Sequence, residues 1–335
     1  MTKTFIIAEA GVNHNGNFKL ALKMIDKAKN FGADAIKFQI FDSNKLATEK
    51  ADLANYQKKI KNKFSNQQEM LKKLSLKKSD FLKLKKYCKR KKIKFLCSPF
   101  DEESLKFLIK IGVKTIKIAS GEITNIPLLR TAGKLADNVI FSTGMASLKE
   151  IEFAFKILTK SGLLSKNITI LHCTTDYPAP LKDLNLNYLK YLKKKFKTKI
   201  GYSDHTIEKN IPITAVAIGA EVIEKHFTLS RKMKGPDHQA SITPNEFKSI
   251  ISEIRKTEIA LGQEKKIISR EEKRNIKKIR KSIFAKKNIL KGEYFTINNL
   301  TTKRPGTGLN AVYWDKVIGK KAIKQFKENE KIKIK

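Results

Sequence analysis

Before Gly262, short β-rich runs alternate with longer amphipathic runs eight times, and few architectures satisfy that rhythm. The β-rich runs are Phe5–Glu9, Ala35–Gln39, Lys94–Cys97, Thr115–Ile118, Val139–Ser142, Ile168–Leu171, Lys199–Tyr202 and Val222–Lys225. Between them the apolar positions recur at helical spacing. From about Phe18 to Asn30, Leu20, Met24, Ile25 and Ala28 share one face. Further helices are expected near Glu69–Leu74 and Ser79–Arg90, and the last from Pro244 to Leu261. A polar, lysine-rich excursion, Asn44 to Asn66, interrupts the alternation after the second strand. Eight βα units in roughly the ~250 residues usual for such a fold predict a (β/α)8 TIM barrel with right-handed crossovers. An open doubly wound sheet is the alternative. A polar residue closes nearly every strand: Glu9, Lys37 and Gln39, Ser98, Lys117, Ser142, Thr174, Ser203 and His205, Glu224 and His226. That favours the closed barrel, where eight separate strand ends converge on one catalytic face.

After Gly262 the pattern changes. Residues 264–281 read as a charged, helix-prone linker, and 282–335 as a small all-β module, with strands expected at Ser282–Ala285, Ile289–Glu293 and Thr302–Gly308. A module of about 55 residues is marginal alone and gains from docking on a partner surface. The expected organisation is therefore a catalytic barrel over 1–263, a linker over 264–281 and a β module over 282–335.

The net charge of +39 suggests a nucleic-acid partner, but its distribution does not. The lysines lie on the polar faces of nearly every helical run, without a clustered patch interleaved with aromatics. They form a cationic surface that concentrates anionic substrates. No apolar run approaches the ~20 residues that span a bilayer. Met1–Ala10 reaches Glu9 without the layout of a signal peptide, so a cytoplasmic protein with neither membrane nor nucleic-acid partner is expected. Cys88, Cys97 and Cys173 are odd in number and widely spaced, against a disulfide framework or four-thiolate zinc site.

The candidate chemistry lies at the strand ends. His205, past strand seven, and His226, ending strand eight, come from neighbouring strands with Glu224 and Asp237 nearby. Two imidazoles with carboxylates and water suit manganese, iron or zinc. Lys37 and Lys117 sit inside apolar strands, where an unpaired ammonium is costly. Three uses compete: binding an anionic substrate, forming a Schiff base, or pairing structurally with Glu9 and Glu122. Ser120-Gly121-Glu122 and Ser142-Thr143-Gly144 are hydroxyl- and glycine-rich turns suited to phosphate. Asn13-His14-Asn15-Gly16 reads either as a ligand contact or as a turn that caps the first helix.

These motifs, taken in order, resemble the sialic acid synthases: Ala8–Gly16, Ile36–Gln39, Ser98–Asp101, Lys117–Glu122, Ser142–Met145, His172–Pro178, Gly201–Thr206, Glu224–Phe227 and Gly235–His238. Arg280–Ile283 and Lys303–Gly306 are similar to the family's antifreeze-like (SAF) domain, so the resemblance spans essentially the whole chain. It implies condensation of phosphoenolpyruvate with N-acetylmannosamine or a related 2-acetamido sugar aldehyde to a nonulosonate and phosphate. It implies a manganese-type ion (Mn2+) on His205 and His226. It also implies a phosphoenolpyruvate pocket built from Lys117, Ser142, Ser203 and the pair Arg280-Lys281, with Gln39, Ser98, Ser120, Tyr177 and Asp237 among the substrate-binding residues. A domain-swapped homodimer is implied too, Arg304 of one chain reaching the other's sugar site. The match loosens after Tyr56-Gln57, where the family's asparagine corresponds to Asn62 displaced by about two positions. For such a reaction Glu122, then Glu9, is the expected proton acceptor, with Lys37 in the catalytic set. The rival is a Schiff-base aldolase on the same barrel using Lys37 or Lys117, which leaves the histidine pair unexplained.

Overall fold

The computed structural model describes residues 3–53 and 64–334; Tyr56, Gln57 and Asn62 lie outside the described residues. Two compact units divide the chain, residues 1–262 and 263–335.

The first unit is a closed eight-stranded barrel in chain order, not an open sheet. Its strands are β1 (Phe5–Gly11), β2 (Ala35–Ile40), β3 (Lys94–Pro99), β4 (Thr115–Ile118), β5 (Asn138–Ser142), β6 (Ile168–Cys173), β7 (Lys199–Asp204) and β8 (Val222–His226). Adjacent strands pair in parallel, and β8 returns to β1. Side chains alternate across each strand. Those facing the helices, such as Ile6, Ala8, Ile36, Phe38 and Ile116, join the main core. Inside, Ile7, Ala35, Leu96, Ile140, Leu171 and Val222 form one apolar layer. Burying each aliphatic side chain of that size stabilises the fold by about 1.5–3 kcal/mol. Gly201 is required in this layer, because a Cβ there would lie 2.3 Å from the Val222 carbonyl oxygen and 2.6 Å from a Leu171 methyl.

Two residues further along the inward positions the layer turns polar. Glu9 stands two after Ile7, Lys37 two after Ala35, Ser98 two after Leu96, Ser142 two after Ile140, and Glu224 two after Val222. The strict period of two stacks these groups directly over an apolar floor. Above them β1 bulges between Glu9 and Gly11, with Gly11 at φ +52°, where a side chain is disfavoured. The first helix, Phe18–Phe31, is capped by Asn17, whose side chain accepts from the Leu20 amide; the expected Asn13–Gly16 turn lies just before that cap.

In the second unit β9 (Ser282–Ala285) pairs antiparallel with β10 (Leu300–Lys303) over a core that includes Ile283, Ile289, Phe295, Leu300 and Phe326. The strand expected at Ile289–Glu293 is a single bridge, Ile289 to Phe326, because the chain turns at Gly292, φ +83°. The strand expected at Thr302–Gly308 instead ends at Lys303. The segment expected as a linker contains the helix Arg270–Ile279, fastened to this unit where the Gly306 amide donates to the Lys277 carbonyl.

Candidate functional site

The polar layer opens into a cavity of about 470 Å³ at the C-terminal ends of the strands. Its floor is a buried cluster of four charges. Lys37 Nζ lies 3.1 Å from Glu9 and 3.3 Å from Glu224, and Lys117 Nζ lies 3.4 Å from Glu224. Hydroxyls complete it: Lys117 donates to Ser142 Oγ at 2.7 Å, Lys37 to Ser98 Oγ at 3.3 Å, and Ser203 to Glu224 at 3.0 Å. Gln39 donates to Glu9 at 3.2 Å. The structural pairing of Lys117 with Glu122 is corrected: its carboxylate is Glu224. Glu122 lies on the turn after β4, half-buried and bonded to Asn125.

Burial acts on every member of the cluster, and the neighbours decide the outcome. Desolvation raises Glu224, but Lys117, Lys37 and the Ser203 hydroxyl outweigh it and hold the carboxyl at about 2. Desolvation, reinforced by Glu224 and only partly offset by Lys37, pushes Glu9 up to about 7. Burial lowers Lys117, while Glu224 and Glu9 hold Lys37 above its ordinary value against the same effect. One carboxylate is thus firmly ionised and the other poised near neutrality. Glu122 and Asp237 are also raised by burial, Asp237 to about 6.

His205 and His226 face each other with ring centroids 5.6 Å apart. The Thr174 carbonyl, 2.7 Å from His205 Nδ1, can only accept, so Nδ1 carries the proton and Nε2 the lone pair. Tyr177 stacks on His205 at 4.2 Å with its hydroxyl 3.2 Å from Nε2. His226 Nδ1 is buried without a hydrogen-bond partner among the described residues. Burial holds both imidazoles neutral, His205 at about 4 and His226 well below its ordinary value. Two neutral rings, one with an Nε2 lone pair facing only the Tyr177 hydroxyl and one with an orphaned buried nitrogen, fit a divalent ion. Among the described residues no group of three or more His, Cys, Asp or Glu side chains is arranged around a metal position. The fit is therefore to two imidazoles with the remaining positions open. Glu224, expected beside this pair, is committed to the lysines, whereas Asp237 lines the cavity.

The remaining expected residues divide. Ser120, Ser142, Ser203, Gln39, Glu122 and Tyr177 line the cavity, while Ser98 sits behind Lys37. Arg280, Lys281 and Arg304 are exposed in the second unit, Arg304 Nε donating to the Ile279 carbonyl at 2.9 Å. His172 and His238 hold loops instead, through Leu184 and through Thr228 and Asn15. All three cysteines are buried; Cys173 lines the cavity beside Ser120, its thiol raised by burial. Sequence reasoning missed the cavity's apolar side, formed by Phe41, Leu46, Met70, Leu71, Leu74 and Phe100. Met70 and Leu74 stand four apart on the helix Gln67–Leu74, a spacing that reads as an ordinary core face.

The NeuB family profile matches residues 24–266, and the SAF domain profile residues 280–334. The chain belongs to the NeuB family. Among similar NeuB relatives, the N,N'-diacetyllegionaminic acid synthase of Campylobacter jejuni is 48% identical over 99% of this chain and all of its own length. The synthase of the same name from Legionella pneumophila is 41% identical, over 94% of this chain and 89% of its own. A solved N-acetylneuraminic acid synthetase of Leptospira borgpetersenii superposes with a TM-score of 0.73 at 39% identity, covering 82% of this chain and 90% of that one. The chain is thus an enzyme, a transferase of the acid-synthase type. Among the described residues no helix is long and apolar enough to cross a membrane.

Proposed function

We propose that this NeuB enzyme condenses phosphoenolpyruvate with a 2-acetamido sugar aldehyde and water, giving a nonulosonate and inorganic phosphate. The observation that carries the reading is the buried Glu9–Lys37–Glu224–Lys117 cluster lying beneath two neutral histidines in one cavity. Lys117 and Lys37, with Ser142 and Ser203, present donors to the phosphate and carboxylate of phosphoenolpyruvate. Binding of those anions shares the lysines now held by Glu224. The enol carbon attacks the aldehyde carbon to form the new C–C bond, and the aldehyde oxygen takes up a proton to become a hydroxyl. Water adds to the carbon that bears the phosphate ester, its proton passing to a carboxylate. The tetrahedral adduct collapses to the ketone as its C–O bond breaks and phosphate leaves. Glu122, half-buried at the mouth, and Glu9, poised near neutrality, are the carboxylates placed for proton transfer. A divalent ion, Mn2+ in this reading, bound by His205 and His226 would supply Lewis-acid polarisation of the aldehyde oxygen. Tyr177 and Asp237 flank the same end and orient the sugar.

The reading includes a homodimer in which Arg304 of a second copy completes the sugar site, its planar donors matching an acetamido carbonyl. Mixing inactive Arg304→Ala with inactive His226→Ala under subunit exchange should restore part of the activity. Verified exchange without recovery contradicts action in trans. The reaction itself is tested by phosphate release from phosphoenolpyruvate. It should require sugar, stop on chelation and return with Mn2+, and borohydride with pyruvate should trap neither Lys37 nor Lys117. Activity that persists without metal, or a trapped lysine, contradicts the reading.

A further inference from the structure

The segment after β8 has no helix or strand between Leu229 and Ser241, yet it carries Asp237 into the cavity lining. Its base is fixed by backbone. The Thr228 amide donates to the Ile242 carbonyl at 2.9 Å, and the Ile242 amide to the His226 carbonyl at 3.0 Å. Its tip is fixed by side chains from the turn after β1. Asn15 donates to the Lys234 carbonyl at 2.7 Å and accepts from His238 Nε2 at 3.2 Å, while His238 Nδ1 meets the Thr228 hydroxyl at 2.6 Å. Gly235 lets the loop close on that turn, because a Cβ there would lie 2.6 Å from Asn15 Oδ1.

Asn13 joins base and tip. It is 1% exposed, and its side-chain nitrogen donates at 2.9 Å both to the Phe227 carbonyl and to Ser241 Oγ. The carbonyl can only accept, which fixes the nitrogen on that side of the amide. Ser241, fully buried, passes the link on by donating to the Asp237 carbonyl. One amide thus connects the residue after His226 to the backbone of Asp237, and both His226 and Asp237 line the cavity. Among the described residues that line it none comes from 13–16, and Asn17, not Asn13, caps the first helix. A buried donor shared by acceptors on two segments holds those segments at one separation, and the loop has no regular structure of its own that would do so.

We infer that Asn13 is a positioning residue of the site: through the Phe227 carbonyl and Ser241 it fixes where His226 stands relative to Asp237. The inference rests on the function proposed above, in which His226 binds the divalent ion and Asp237 meets the sugar. The Phe227 carbonyl is the arm to His226, and Ser241 the arm to Asp237. Misplacing a group at a reacting centre by about 1 Å costs roughly a hundredfold in rate. Losing an outer partner of a metal ligand costs about 10–100-fold in metal affinity or activity.

The test cuts the link at each end in the full-length protein. Asn13→Leu keeps the side chain's bulk and removes both donations, while Ser241→Ala releases only the Asp237 arm. Mn2+ binding to metal-free protein is read from the loss of the free-ion signal in electron paramagnetic resonance. Kinetics are read from phosphate release with phosphoenolpyruvate and either N-acetylmannosamine or 2,4-diacetamido-2,4,6-trideoxymannose, whichever the wild type turns over faster. Asn13→Leu should weaken Mn2+ binding by about 10–100-fold and lower kcat/KM for sugar. Ser241→Ala should keep the Mn2+ affinity and still lower kcat/KM for sugar roughly tenfold to a hundredfold. The KM for phosphoenolpyruvate should hold in both. Because the two substitutions cut one link, the double variant should be no slower than Asn13→Leu alone. Losses that multiply in the double variant overturn the inference, as does a folded Asn13→Leu protein changed only in urea unfolding. A wild type that binds no Mn2+ or releases no phosphate overturns the proposed reaction itself. Should Asn13→Leu fail to fold, Ser241→Ala decides alone: equal losses for sugar and phosphoenolpyruvate, or none, contradict the inference.

Discussion

Glu224 and Lys225 are consecutive on β8, point to opposite sides of the barrel wall, and each anchors a buried charge cluster. Outside the barrel, Lys225 pairs with Asp204 across the β7–β8 register and donates to the Thr206 carbonyl, while Asp204 accepts from the Thr206 amide at 2.9 Å. That cluster is closed: both side chains are essentially inaccessible, and each spends its hydrogen bonds on the residues flanking His205. Inside, Glu9 Oε2 and Glu224 Oε2 share the single ammonium of Lys37, at 3.1 and 3.3 Å, with no other donor to either oxygen among the described residues, and the cluster faces a cavity. Saturation marks a structural device and unspent capacity marks a ligand site. The two clusters should accordingly fail in different ways when a charge is removed.

The largest effect is expected inside. Lys117→Met should lower kcat/KM for phosphoenolpyruvate by roughly a hundredfold to a thousandfold, the scale seen when a donor aimed at developing charge is lost. The KM for sugar should move far less. Steady-state kinetics on folded variant protein decide it, and unchanged constants would make the inner cluster as structural as the outer.

Outside, the expected loss is of stability. Lys225→Met strands Asp204 without its counter-ion and should cost about 3–5 kcal/mol in urea unfolding of the barrel. Asp204→Leu combined with Lys225→Met should recover most of that cost. If the pair also fixes the backbone beside His205, the double variant should still bind Mn2+ about 10–100-fold more weakly, as when an outer-shell partner of a metal ligand is lost. Equal Mn2+ affinity in the double variant and the wild type would confine the outer pair to stability.

The smallest effect concerns Glu9. Its carboxyl titrates at about 7 in the folded chain against an ordinary 4.5, so the folded state holds more protons between those values. Glu9's own contribution to stability therefore falls as pH rises from 4.5 to 7 and is flat above, against the opposite slope from the histidines that burial holds neutral. The stability of Glu9→Gln relative to the wild type should accordingly rise between pH 4.5 and 7 and level off above, read as the difference between the two unfolding profiles. A difference that does not change with pH would contradict a raised Glu9.

Much of this was legible in the sequence. The eight-fold alternation carried the barrel, and two histidines at neighbouring strand ends carried the imidazole pair. The strand ends were read too early at β6, β7 and β8, because His172-Cys173, Ser203-Asp204 and His226 are polar locally yet still ladder-bonded in a closed barrel. The partner of Lys117 was not legible. Glu122 is close in sequence, whereas Glu224 reaches Lys117 only across a closed barrel, where inward positions of distant strands share one layer. The apolar wall was hidden for a similar reason: Met70 and Leu74 match any amphipathic helix, and only tertiary placement turns that face toward a cavity.

The central claim is that the cavity joins phosphoenolpyruvate to a sugar by breaking the C–O bond. The direct measurement uses phosphoenolpyruvate carrying 18O in the bridging position, with sugar and Mn2+, and follows the label by mass spectrometry. The account predicts that the 18O leaves with phosphate, one labelled phosphate for each nonulosonate formed, and that the product's new C2 oxygen comes from water. Label retained in the sugar acid, with unlabelled phosphate released, would mean P–O cleavage and would contradict it.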